Sequence, residues 1–394
     1  MPSSTFLVTV SGPDRIGVGA ELFAALEVLS AQGVHITDVA QITIKGALVL
    51  CAEVSTEKSL ALADVESALS TRDIVRDGIS ATVEKVEPSD ASDGRRLLVT
   101  FLASRIGASQ LNDVFGAIAR SDASCERIVH LASYPVDCYE LVVRGADHDL
   151  LREELVAVAG TSGLDLAVQR AGLHRRSKHL VVMDADSTLL QDEVIDLLAV
   201  ECGCAVEVSA ITELAMAGEI DFAEALRRRV TLLAGLPESV LDDVRNKLRL
   251  TPGAHTLLRT LQRLGYVPAV VSGGFVEVLE PLMAELKVEY LAANRLEIAD
   301  GKLTGVVLGE IVDRAGKAKA LRRFADEVGV PLEQTVAVGD GANDIDMLSA
   351  AGLGIAFNAK PVVQAHADTA ITVPYLDAVL YFLGISREEI EDES

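Results

Sequence analysis

Four short, almost wholly apolar runs punctuate the second half of the chain: Leu180 to Met183, Val267 to Val271, Thr335 to Val338 and Leu353 to Phe357. A strand that rests one face on a core alternates apolar and polar residues, whereas a run without a polar side must be buried on both faces. Helical patterns separate the runs, so this part of the chain is expected to form an α/β fold, a parallel sheet with helices on both faces. In such sheets the chemistry collects at the carboxyl ends of the strands. Between Glu193 and Leu250 the pattern is amphipathic helix with no convincing strand, which reads as a helical insertion, a cap over about residues 194–255 lying on the sheet edge.

The front of the chain follows a different grammar, and it does so twice. Leu7-Val8-Thr9-Val10 returns as Leu98-Val99-Thr100-Phe101, and Arg15-Ile16-Gly17 returns as Arg105-Ile106-Gly107, one residue having been lost from the turn. Each copy runs from an alternating strand through a Gly-bearing turn into an amphipathic helix, with Leu22, Leu26 and Leu29 on the apolar stripe of the first and Leu111, Val114 and Ile118 on that of the second. A hairpin comes next in each, Gln41 to Ser55 turning at Lys45-Gly46 and His130 to Arg144 turning near Pro135, and a second helix closes each copy at about 60–72 and 147–160. The predicted domains are therefore 1–87, 95–172 and 178–394. The polar run Pro88 to Gly94 and the basic run His174 to His179 read as solvated linkers.

Charge excludes some functions. Lys and Arg number 35 against 59 Asp and Glu, for a formal charge of -24, so neither nucleic acid nor an anionic membrane is an expected partner. Any anionic substrate must be held by local donors or a metal. Five cysteines give no disulfide framework, and the start MPSSTFLVTV has no basic region followed by an apolar core, so a reducing cytoplasm is the expected location. Cys202-Gly203-Cys204 lacks further ligands at zinc spacing and reads as two helix cysteines. The apolar stretch Val373 to Ile385 contains Asp377 and is too short to span a bilayer, so a buried strand and helix are expected there.

The strand ends carry the candidate chemistry. Asp184 and Asp186 follow LVVM, where two carboxylates can share a divalent cation or divide separate tasks, although a strand-end turn is also rich in Asp, Ser and Thr. Ser272-Gly273-Gly274 offers a hydroxyl and unshielded N–H groups suited to phosphate oxygens, or makes an ordinary strand-to-helix turn. Lys317 stands near a helix start, as a phosphate counter-charge or a surface lysine. Asp340, Asn343, Asp344 and Asp346 crowd around two glycines, a cluster that repels itself unless a cation joins it.

Taken in this order, DADSTLL with Glu193, LRRRVTLL, VVSGGF, ANRLEIADGKLTG and VAVGDGANDIDM closely resemble the phosphoserine phosphatases of the haloacid dehalogenase superfamily. The resemblance covers about residues 180–385. It implies a Mg2+-dependent hydrolysis of phosphoserine, the last step of serine biosynthesis, with Asp184 as nucleophile and Asp186 as general acid and base. It further implies Ser272, Gly273 and Lys317 as phosphate anchors, Asn343 as a polar group on the phosphate side, and Asp184, Asp186 and Asp340 as metal residues with Asp344 in support. In the cap it carries Glu193 to the substrate ammonium, Arg229 to the carboxylate, and Met216 and Phe222 to the apolar walls. On residue pattern alone, Arg227-Arg228-Arg229 reads as a solvated helix face.

The two front copies resemble ACT domains, βαββαβ modules that bind amino acids and pair side by side; the loop Ser11 to Gly17 carries the likeness, and the second copy lacks its Gly-Pro-Asp. This implies a homodimer or higher homo-oligomer and an effector site, for L-serine or another amino acid, at Asp14, Arg15, Gly17 and Gly107. A glycine at Gly17 and Gly107 is expected because a side chain there would block close approach of a small ligand. Two other functions remain open on sequence: a phosphatase for another small phosphorylated amine or acid, and an amino-acid sensor with an idle catalytic fold.

Overall fold

A computed structural model describes residues 4–70, 74–87, 96–172 and 177–391. Its contacts divide the chain into two compact units, 1–94 and 95–394. The linker read at 88–94 and residues 174–176 of the basic run lie outside the described residues.

The first unit runs β1 (Ser4–Pro13), α1 (Val18–Glu27), β2 (His35–Ile44), β3 (Ala47–Thr56), α2 (Leu62–Ser70) and β4 (Ser80–Val86), with a four-stranded sheet in the order β2-β3-β1-β4. The hairpin turns at Lys45-Gly46, both with positive φ (47° and 82°), the backbone a two-residue turn needs to match strand twist. Phe6, Val8 and Val10 of β1 point to one side and pack with Leu22 and Leu26 of α1.

The second copy repeats the plan: β5 (Arg96–Ala103), α3 (Ala108–Arg120), β6 (Ser124–Ala132), β7 (Asp137–Arg144), α4 (His148–Ser162) and β8 (Asp165–Arg170), ordered β6-β7-β5-β8. Both hairpins begin about six residues before the sequence expectation, because their first strands are edge strands with polar residues on both faces and a weak alternation. The second copy is welded to the C-terminal part of the chain. Leu102, Cys138 and Ala167 belong to one core with Leu376, Tyr381 and Phe382. Thr369 Oγ1 donates to the Leu166 carbonyl at 2.7 Å, and Gln169 Nε2 to that of Phe382 at 2.9 Å.

The C-terminal sheet consists of β9 (Leu180–Met183), β10 (Val267–Phe275), β11 (Tyr290–Ala299), β12 (Lys302–Leu308), β13 (Thr335–Gly339), β14 (Gly354–Phe357) and β15 (Thr369–Ile371). The order is β12-β11-β10-β9-β13-β14-β15, parallel except for the edge pair β11–β12. That antiparallel pair was not expected, since its residues are half-buried and mixed in polarity. The helices are α5 (Val194–Cys202), α6 (Ala205–Met216), α7 (Phe222–Thr231) and α8 (Val240–Arg245) in the cap, then α9 (Ala254–Arg263), α10 (Val276–Glu285), α11 (Arg314–Val328), α12 (Ile345–Ala350), α13 (Pro361–Gln364), α14 (Val379–Phe382) and α15 (Arg387–Glu391). The cap is helical, as expected, and its two connections to the core are tied by an antiparallel bridge, Leu190 to Leu250. Because β9 lies between β10 and β13, the carboxyl ends of these three strands open onto one crevice.

Two expectations need correction. Lys178 is not a solvated linker charge: it is buried, with Nζ donating to the Glu333 carbonyl at 2.5 Å, and burial pushes its ammonium down to about 8. The stretch 373–385 is buried but holds no strand, only a short 3-10 turn (Leu376–Ala378) and α14. Cys202 ends α5 and Cys204 precedes α6, and both are free thiols. No described helix is long and apolar enough to cross a membrane.

Candidate active site

β9 delivers Asp184 to the crevice as its last residue gives way to a tight turn. The turn holds Ser187 at φ 59°, a conformation that costs a non-glycine residue strain and persists only under outside restraint. Asp184 is buried; its Oδ1 accepts from the Ala185 N–H at 2.8 Å and its Oδ2 lies 2.6 Å from Lys317 Nζ. Lys317 comes from the first turn of α11, whose start is capped by the Asp313 side chain accepting from the Gly316 N–H. Its ammonium also reaches Asp344 Oδ1 at 2.6 Å. Burial works against that charge, but Asp184 and Asp344 outweigh it and hold the ammonium more firmly protonated than usual.

One ammonium faces three carboxylates. Oxygens of Asp184, Asp340 and Asp344 lie within 4.8 Å of one another, among the described residues the one group of its kind. Burial, and then the Asp344 charge, raise the proton affinity of Asp184. Burial, and then Asp344, push Asp340 up to about 6, against the hydrogen bond it accepts from Thr188 Oγ1 at 3.1 Å. This excess of negative charge in a buried, all-oxygen cluster fits a hard divalent cation. Asp344 spends both oxygens on the chain, on Lys317 and on the Gly341 N–H at 2.9 Å, the arrangement of a supporting group. Gly339 allows it in, since a Cβ there would fall 2.5 Å from the Asp344 carboxyl carbon.

Asp186 stands apart from that group, its Oδ1 accepting from the Val194 N–H at 3.2 Å. Burial first, then the Glu193 charge, push it up to about 8, a shift that favours the protonated acid. Gly274 leaves it room, since a Cβ there would stand 3.2 Å from Asp186 Oδ2. The Ser272 hydroxyl accepts from the Gly274 N–H at 2.8 Å and keeps its own proton to donate.

A cavity of about 800 Å3 connects these groups to the cap. Asp221 caps α7 by accepting from the Glu224 N–H at 2.7 Å, and Phe222, Leu226 and Arg229 then share the face that lines the cavity. Arg227 and Arg228 face solvent, so the triplet splits as the resemblance implied and not as a uniform solvated face. Arg229 Nη1 makes a long hydrogen bond to Thr212 Oγ1 at 3.4 Å. Burial lowers its proton affinity, while the carboxylates of Asp196, Glu193 and Asp186 raise it. Glu193 accepts from Ser187 Oγ at 2.8 Å. Gly273 and Asn343 also line the cavity; the Met216 side chain lies outside the described residues.

Sequence reading missed Thr212, Thr188, Asn294 and Arg314. Asn294 is buried and ties the Gly273 carbonyl to the Val312 N–H, while Arg314 at the cavity rim pairs with Asp346 at 2.8 Å. Only the Asn inside an otherwise strand-like run offered a signal. In the first unit, Arg15 is engaged with Glu21 through two hydrogen bonds and the Asp14 N–H donates to the Gly46 carbonyl. Space is open where a Gly17 Cβ would sit, so its glycine is required by φ 96° and not by crowding; Gly107 is extended, φ -105°, and requires no glycine.

The comparisons with known proteins agree with this geometry. A family profile described as haloacid dehalogenase-like hydrolase matches residues 181–349, and two ACT domain profiles match residues 4–74 and 97–169. The chain is 50% identical to the phosphoserine phosphatase of Streptomyces coelicolor over 392 residues, 98% of this chain and 94% of the relative. It is 48% identical to phosphoserine phosphatase SerB2 of Mycobacterium tuberculosis, covering 99% of this chain and 96% of that one. Among solved structures, a phospho-aspartyl intermediate analogue of a phosphoserine phosphatase is similar with a TM-score of 0.50 at 44% identity, covering 52% of this chain and 98% of the other. A HAD family hydrolase from Salmonella enterica serovar Typhi is similar with a TM-score of 0.65 at 27% identity, covering 76% and 100%.

Proposed function

The chain belongs to the phosphoserine phosphatases of the haloacid dehalogenase-like hydrolases, and we propose that it hydrolyses O-phospho-L-serine to L-serine and phosphate through an aspartyl-phosphate on Asp184. One observation carries the choice of substrate: Arg229 and Glu193 of the cap line the same cavity as Asp184 and Asp186. A guanidinium fork matches a carboxylate and an acid matches an ammonium, so the two ends of a phosphorylated amino acid are read while its phosphate meets the strand ends.

Asp184 attacks phosphorus in line as the bond to the seryl oxygen breaks, and Asp186 in its acid form, which its burial favours, gives its proton to that oxygen. The ionised Asp186 then takes a proton from water, whose oxygen displaces Asp184 from phosphorus. Lys317 and the Ser272 hydroxyl offset the charge of the phosphoryl oxygens, with Gly273 and Asn343 at the cavity wall. Mg2+ held by Asp184 and Asp340, with Asp344 in support, would supply the positive charge that lets a carboxylate approach a phosphate dianion. The setting we propose is the last step of serine biosynthesis, in the cytoplasm.

The test is mass spectrometry of acid-quenched enzyme. Asp184→Asn is expected to abolish turnover and phosphoenzyme together, whereas Asp186→Asn accumulates phosphate on Asp184. Phosphate on any other residue would overturn the mechanism.

The ACT units make L-serine, or another amino acid, the expected effector, bound at the Asp14 to Gly17 loop. In β2 and β3 the apolar side chains Ile42, Ile44 and Val49 are exposed, an edge that a second copy of the chain would cover, which supports a homo-oligomer.

A further inference from the structure

We infer that Thr251 is a positioning residue for phosphoryl transfer, holding the nucleophile turn in its strained form from behind. This rests on Asp184 and Asp340 being the reacting centre described above. Thr251 is buried at the return from the cap, two residues before the Gly253 that precedes α9. The N-cap position of α9 is Gly253, so the Thr251 hydroxyl is not needed at the helix start. Thr251 Oγ1 donates to the Thr188 carbonyl at 2.7 Å, and the Thr251 N–H donates to the Leu189 carbonyl at 2.9 Å.

Those two carbonyls follow directly on Ser187, the residue held at φ 59°. Thr188 is itself fully buried, and its hydroxyl donates to Asp340 Oδ1. Thr251 thus fixes the residue whose hydroxyl reaches Asp340 and the end of the turn whose Leu189 N–H returns to the Asp184 carbonyl. A change of about 1 Å in reacting groups costs on the order of a hundredfold in rate.

Thr251 is in turn held by the far side of the molecule. The Leu376 N–H donates to the Pro252 carbonyl at 2.8 Å, and Gly253, at φ 85°, sits so close to Asp377 that a Cβ would fall 2.1 Å from its Oδ1. Leu376 shares a core with Leu102 and Cys138 of the second ACT copy. One continuous set of contacts therefore runs from that copy to the turn bearing the nucleophile.

The test is phosphoserine turnover with Mg2+ by the full chain carrying Thr251→Val or Thr251→Ser, each with a thermal melt. Valine keeps the shape and removes the hydroxyl, so kcat is expected to fall at least tenfold with KM within twofold, while serine restores kcat to within threefold. The inference is overturned if valine keeps kcat within twofold, if serine loses as much as valine, or if KM rises in step with the loss. Should the valine variant not fold, Thr251→Ala is judged by the same split. Activity remaining in Asp184→Asn, measured alongside, would instead remove the nucleophile assignment.

Discussion

Two carboxylates two residues apart stand in different surroundings, which supports the separate roles proposed for them, although burial raises the proton affinity of both. Asp184 touches an ammonium and the neighbouring acids, whereas Asp186 lies beside Glu193 and an N–H donor and is pushed up to about 8. The proposed reading of the substrate carboxylate rests on one side chain in the same way. Among the described residues Arg229 has no carboxylate within ion-pair distance; its hydrogen bonds, to the Ala225 carbonyl and to Thr212 Oγ1, are both long at 3.4 Å, which suits a fork that turns to a ligand. Arg229→Ala is expected to cost about 2 to 4 kcal/mol in kcat/KM for phosphoserine, the scale of a lost charge-assisted pair. An aryl phosphate without a carboxylate should lose far less. Steady-state kinetics on both substrates checks this, and equal losses would assign Arg229 to the cap's packing.

Where β8 meets the hydrolase sheet, a buried acid makes the junction sensitive to pH. Asp165 Oδ2 accepts from the Thr372 N–H at 2.7 Å, yet burial outweighs that bond and pushes the carboxyl from 3.8 up to about 6. The folded chain thus holds this proton more firmly than the unfolded chain. The associated stability is fully present below about 4 and is lost as the pH rises to about 6. Asparagine keeps an acceptor for Thr372 without the charge. Asp165→Asn should therefore be more stable than the parent at pH 8 by about 1 to 3 kcal/mol and nearly equal to it at pH 4. Denaturant melts at the two pH values decide, and a gain independent of pH would rule out titration of Asp165.

Across the whole molecule, the two copies of one module have diverged in their surroundings. The second is built into the hydrolase unit through Thr369, Gln169 and a shared core, whereas the first forms a compact unit of its own with apolar side chains exposed on β2. Feedback would then enter through the first copy. L-serine is expected to inhibit with a coupling of about 1 to 3 kcal/mol and to shift the oligomer equilibrium. Gly17→Val, which forces a branched side chain to φ 96°, should abolish both effects without altering kcat. Light scattering and inhibition curves measure them. Serine inhibition unchanged in the variant would mean simple product occupancy of the active site.

Sequence alone determined what local pattern can encode. Apolar runs without a polar side named the buried strands, the repeated strand, turn and helix named the duplication, and acids at strand ends marked Asp184, Asp186 and Asp340 before any contact was known. Tertiary structure decided the pairings between distant segments. Nothing near Lys178 shows that Glu333 will receive it, nothing near Thr251 shows that its hydroxyl will turn to Thr188 instead of a helix start, and nothing in Gly17 separates a need for space from a need for positive φ. Periodicity reports which face of an element is buried; which partner buries it depends on residues far away in the sequence, and those contacts exist only once the chain has closed.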